Sequence, residues 1–84
     1  VIKIEPNLPE AWYNMGYIYS EKGEYNKAIK CYKKAIKIKP NYAEAWYNMG
    51  VIYYNKGEDN EAIRCYNKVI EIKEKKKKIK KEVK

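Results

Sequence analysis

The seven residues Glu10 to Gly16, EAWYNMG, return unchanged at Glu44 to Gly50, and this recurrence constrains the fold more than any other feature of the chain. The offset is 34 residues, and the correspondence runs on beyond the motif: Ile18 and Tyr19 pair with Ile52 and Tyr53, Lys22, Gly23 and Glu24 with Lys56, Gly57 and Glu58, and Ala28, Ile29, Cys31 and Tyr32 with Ala62, Ile63, Cys65 and Tyr66. About 21 of 34 positions are identical, which makes the chain two copies of one structural unit. The opening VIKIEPNL aligns in turn with AIKIKPNY at 35–42, so residues 1–8 read as the end of an earlier unit.

Apolar and small residues recur within each unit at helical spacing: Ala11, Trp12, Met15, Ile18 and Tyr19, then Ala28, Ile29, Tyr32, Ala35 and Ile36. Gly23 and Gly57 interrupt the pattern where a helix should end, because glycine accepts the left-handed backbone of a C-terminal cap at little steric cost. Each unit is therefore expected to be a helical hairpin, with helices near 9–22, 25–39, 43–56 and 59–76. Pro9 suits a first-turn position, and Pro40 with Asn41 marks the passage between hairpins. Gly16 and Gly50 fall inside helices, where glycine costs about 1 kcal/mol relative to alanine. Close helix approach accounts for them, with Tyr32 or Tyr66 descending onto the side-chain-free position.

Trp12, Met15, Gly16, Tyr19, Ala28, Tyr32, Ala35 and Pro40, repeated as Trp46, Met49, Gly50, Tyr53, Ala62, Tyr66 and Val69, resemble the signature of the tetratricopeptide repeat. Glu74 stands where the second unit would carry proline, and that removes the stop signal from its last helix. The resemblance divides the chain into 1–8, the end of a preceding repeat; 9–42 and 43–76, two full repeats; and 77–84, a Lys-rich extension. It implies an all-α fold of antiparallel helical hairpins stacked as a right-handed superhelix, an α-solenoid. Two units and a fragment fall short of the three such arrays usually need, so the chain is expected to come from a longer array or to self-associate through its terminal helices, with Ile63, Tyr66 and Ile70 partly uncovered.

The family's first helices line a concave groove that receives an extended peptide or a helix. The resemblance thus nominates the residues beside the core Trp and Gly: Tyr13, Asn14, Tyr17 and Ser20 from the first unit, and Tyr47, Asn48, Val51, Tyr54 and Asn55 from the second, flanked by Glu10, Glu21 and Glu44. Tyr offers rigid amphipathic contact area, and an Asn amide can both donate to and accept from a peptide backbone. Asn14 and Asn48 resemble the asparagine ladder of O-linked N-acetylglucosamine transferases. The carboxylate clamp of heat-shock co-chaperones is incomplete here, since Tyr13 and Tyr17 stand where it needs Lys and Asn. The expected function is a protein-interaction scaffold that binds a partner protein or peptide. Two alternatives stay open: a substrate-selecting segment of a larger enzyme such as an O-linked N-acetylglucosamine transferase, and a consensus-like repeat without a natural ligand.

The net charge of +8 is unevenly spread: residues 73–84 carry eight Lys against Glu74 and Glu82, about +6, which leaves about +2 for residues 1–72. A chain with 45% hydrophobic and 36% charged residues suits a largely helical protein. The basic run has no interleaved aromatics, so nucleic acid is not the expected partner. It reads instead as a continuation of the last helix, with Ile72, Ile79 and Val83 as a thin apolar stripe. Cys31 and Cys65 occupy equivalent positions on the order of 10 Å apart in a stacked array, beyond disulfide reach, and are expected as half-exposed thiols. Histidine is absent and there is no third cysteine or phosphate-binding glycine loop. Hence no catalytic centre, metal or cofactor is expected within these residues. No apolar run reaches the length of a membrane span, and a cytoplasmic or nuclear setting is the expectation.

Overall fold

The computed structural model describes residues 8–82, with side chains described over 8–76. Four helices follow in order: α1 (Pro9–Glu21), α2 (Tyr25–Ile38), α3 (Ala43–Asn55) and α4 (Asp59–Glu82). No strand occurs among the described residues. The first three helices end one residue earlier than the spacing suggests, whereas α4 runs past Ile72, the equivalent of α2's last residue Ile38, to Glu82. Glu74 in place of proline explains the difference, since nothing there withholds a backbone N–H or clashes with the preceding turn. Residues 1–7, read above as the close of an earlier unit, and the side chains of Ile79 and Val83 lie outside the described residues.

Each hairpin turns on a glycine with positive φ, +79° at Gly23 and +82° at Gly57. Around the first, the Gly23 N–H donates to the Ser20 carbonyl at 3.0 Å and the Glu24 N–H to the Tyr19 carbonyl at 2.9 Å. Around the second, the equivalent bonds to Tyr54 and Tyr53 measure 3.0 and 2.8 Å. This doubly bonded cap satisfies carbonyls that the helix end would leave orphaned, and only a residue without Cβ enters it unstrained. The link between hairpins is held differently: the Trp46 indole N–H donates to the Pro40 carbonyl at 3.0 Å, fastening the linker against the start of α3.

α1 packs on α2 and α3 on α4, while α2 also packs on α3, so the two hairpins stack as a solenoid. The packing is tightest at the helix-interior glycines. A Cβ at Gly16 would lie 2.8 Å from Tyr32 Cε1 and 3.2 Å from the Ala28 carbonyl oxygen, and one at Gly50 would lie 2.9 Å from Tyr66 Cε1 and 3.1 Å from Cys65 Cβ. Tyr32 and Tyr66 therefore do descend onto these positions. Ala28, Ala35, Ala45, Met49 and Ile52 complete the buried centre.

Two expectations need correcting. Cys31 and Cys65 are both buried free thiols, not half-exposed ones. For Cys65 the contact between its Cβ and the Gly50 position shows why, because the same glycine that admits Tyr66 also lets the adjacent cysteine turn into the hairpin. Ile18, expected on the core stripe, is 56% exposed, whereas its equivalent Ile52 is 1% exposed. Residue type and local geometry are the same at the two sites. Ile52 lies in α3, which packs on α2, whereas among the described residues no helix precedes α1.

Candidate peptide-binding groove

The same residues sit in the same places in both hairpins, so the groove can be built from one unit and checked against the other. Tyr13 projects from α1 onto Tyr32 of α2, ring centroids 5.7 Å apart and planes at 45°. Tyr47 repeats this on Tyr66 with the same separation and angle. Such tilted contacts favour the edge of one ring against the face of the other. Tyr13 additionally leans on Tyr42, 5.2 Å away, at the N-terminus of α3. The Asn48 amide then crosses from α3 to α1, donating from Nδ2 to the Tyr13 hydroxyl at 2.8 Å. An amide committed in this way has less freedom to read a peptide than the spacing of asparagines suggests, but its carbonyl oxygen can still accept.

Tyr13, Tyr47 and Asn48 are brought together around a cavity of about 370 Å³, which Ala43 and Glu44 also line from α3. Its far wall belongs to α4: Val69, Ile72, Lys73 and Lys76. These residues escaped the sequence reading because first helices alone were taken to form the groove. Val69 and Ile72 follow from the helical spacing of the second helix, and the signal for Lys76 is Glu74, whose replacement of proline lets α4 continue. Asn14, Tyr17, Tyr54 and Asn55 are exposed and Ser20 and Val51 half-buried, all outside this cavity. Tyr17, Tyr47 and Tyr54 are among the most exposed large side chains of the fold.

Behind the groove, the Tyr32 hydroxyl is buried and makes no hydrogen bond of sound geometry among the described residues. Burial pushes its pKa up to about 12 against a weaker opposing pull from the nearby Asn48 amide, whose short bond goes to Tyr13. Burial likewise raises the hydroxyls of Tyr42 and Tyr66. Among the described residues no group of three or more His, Cys, Asp or Glu side chains could hold a metal ion, and no helix is long and apolar enough to cross a membrane.

Residues 16–57 match the TPR repeat family, and the tetratricopeptide repeat pattern matches again over 43–76 and over 1–30. The chain belongs to the tetratricopeptide-repeat family. Its α-solenoid is similar to the solved structure titled "Crystal structure of MamA", with a TM-score of 0.84 and 39% identity over 86% of this chain and 42% of that one. A second, "Crystal structure of MamA protein", gives 0.80 and 39% over 86% and 39% of the two chains. A third, "MamA MSR-1 C2", is 22% identical at a TM-score of 0.82 and shows the fold alone. The chain thus spans about two fifths of the MamA chains it matches. No curated protein is similar enough to count as a match. Family and fold together make this tetratricopeptide-repeat chain a protein-interaction scaffold in the general sense.

Proposed function

We propose that the chain binds an extended segment of a partner protein in the groove between α1, α3 and the continuation of α4, and that it acts by holding that segment. The observation that carries this reading is the convergence of Tyr13, Tyr47 and Asn48 from two hairpins on one cavity with an apolar floor of Val69 and Ile72. Amphipathic tyrosines, a few placed polar groups and an apolar base are what peptide recognition requires. Tyr47 is the exposed aromatic of the lining and has surface to lose to a ligand.

A random peptide library displayed on phage and selected on the chain supplies ligands whatever the natural partner is. Tyr47→Ala should weaken the selected peptides by about 1–2 kcal/mol, or roughly 5- to 30-fold, with helicity by circular dichroism unchanged. Peptides whose affinity is indifferent to Tyr47, Asn48 and Val69 would move the binding surface elsewhere.

A further inference from the structure

A second cavity, of about 280 Å³, opens where α2, α3 and α4 meet. Trp46, Met49 and Tyr53 line it from α3, and Ile36 faces them from α2. At about 3.6 residues per turn these α3 positions lie roughly opposite Ala43, Glu44, Tyr47 and Asn48, so this slot and the groove use opposite sides of one helix. Its apolar floor is recessed, since Met49 is only 3% exposed.

Charge is divided between the helices in the same sense. α2 carries five lysines, Lys27, Lys30, Lys33, Lys34 and Lys37, and no Asp or Glu, whereas the only charges on α1 and α3 are the carboxylates Glu10, Glu21 and Glu44. Lys27 is engaged by Glu24 at 3.1 Å and Lys34 lies over the Trp12 ring. Lys30, Lys33 and Lys37, at steps of three and four residues, form one exposed stripe, and Lys33 stands on the rim of the slot. Arg64 of α4 lines the other side, its contact with Glu61 a long 3.9 Å and its side chain 80% exposed, and Lys68 lies over the Trp46 ring 5.9 Å away.

We infer that this slot docks an acidic segment of a second protein, with one apolar side chain seated between α2 and α4 and the neighbouring carboxylates on the lysine stripe. The site goes beyond the groove and shares no residue with it. A recessed apolar floor between two cationic rims suits a chain that alternates carboxylates with an anchor side chain. It does not suit a membrane surface, which meets protrusions, or a nucleic acid, whose unbroken row of phosphates would meet the Glu61 carboxylate on the rim. Glu61 also sets the direction of the segment, turning its carboxylates toward α2 and away from the start of α4.

The probe is a fluorescein-labelled, capped peptide with one central leucine among aspartates and glutamates, titrated with the full chain in about 0.05 M salt and read by anisotropy. Replacing the leucine by serine at constant charge should weaken binding roughly tenfold or more, which charge attraction alone would not produce. Lys33→Glu and Arg64→Glu, both at exposed sites, should each cost about fivefold or more, and Glu61→Gln should tighten binding by about two- to threefold. Lys33→Glu should leave the affinity of a groove-selected peptide unchanged, and that peptide in excess should not displace the acidic one, so the two surfaces are read separately. In amide NMR the acidic peptide should move Lys30, Lys33 and the Trp46 indole while Tyr47 and Asn48 stay silent. Displacement by the groove peptide, indifference to the leucine, or no binding at all would overturn the proposal. So would a single-stranded oligonucleotide that binds more tightly than the peptide and is weakened by Lys33→Glu, which would give the stripe to a phosphate backbone.

Discussion

Gly16→Ala tests the packing that fixes the groove. In an unconstrained helix the change should stabilise by about 1 kcal/mol, since alanine is the better helix former. Here the new Cβ would stand 2.8 and 2.9 Å from two carbons of the Tyr32 ring and 3.2 Å from the Ala28 carbonyl oxygen. Tyr32 is fully buried and the carbonyl is backbone, so relief requires α1 and α2 to separate by several tenths of an ångström. Overpacking of this kind costs about 1–3 kcal/mol, which outweighs the propensity gain and leaves a net destabilisation of about 1 kcal/mol or somewhat more. For a domain of this size that corresponds to a fall in melting temperature of about 4–8 °C per kcal/mol, measured by circular dichroism at 222 nm with urea titrations alongside. In a Tyr32→Leu background, where the clashing ring is gone, Gly16→Ala should cost less than it does in the parent. A Gly16→Ala protein as stable as the parent, or a penalty undiminished in the Tyr32→Leu background, would refute the reasoning. Gly50→Ala should be milder, because its closest neighbour, Tyr66, is only half-buried and its ring can swing outward.

Tyr32→Phe deletes a buried hydroxyl without a partner and should raise the urea midpoint, by about 1 kcal/mol in stability; a loss of that size would reveal a hydrogen bond the fold depends on. Alkali should destabilise the parent as pH rises from 10 toward 12, because folded Tyr32 keeps its proton to about 12 while the unfolded chain releases it near 10.0. The difference amounts to a loss on the order of 2 kcal/mol, complete only above the folded pKa and not felt at neutral pH, and Tyr32→Phe should flatten that part of the stability profile. Cys65, its thiol pushed up to about 11 from 9.0 chiefly by burial, should react with a disulfide reagent at pH 8 roughly two orders of magnitude more slowly in the folded chain than in urea. Equal rates would place the thiol at the surface.

The repeat period made the hairpins legible because it fixes both the turn glycines and the residues that must face each other. Gly16 and Tyr32 could be paired before any coordinates, since a glycine inside a helix asks what approaches it. Other features depend on neighbours that local sequence does not encode. Ile18 and Ile52 have near-identical surroundings along the chain and opposite exposure, and among the described residues only Ile52 lies in a helix that packs on the hairpin before it. The cysteines sit beside the tyrosines at helical spacing, and their inward turn depends on how closely two helices approach. At the groove, the tyrosines and Asn48 were recognisable as residue types at repeat positions. The bond from Asn48 to Tyr13 crosses 35 residues of sequence, and the wall from α4 joins Val69 and Ile72, at ordinary second-helix positions, to Lys76, which the missing proline lets the helix reach.

The central claim is that Tyr13, Tyr47 and Asn48, with Val69 and Ile72, form the surface that holds a partner. Two-dimensional amide NMR of the isotope-labelled chain, titrated with a library-selected peptide, maps that surface residue by residue. The account predicts shift changes concentrated at these residues and at Glu44 and Lys73 beside them, with Lys30, Lys34 and Arg64 on the outward sides of α2 and α4 unmoved. Changes centred on those outer residues, with the groove silent, would contradict it.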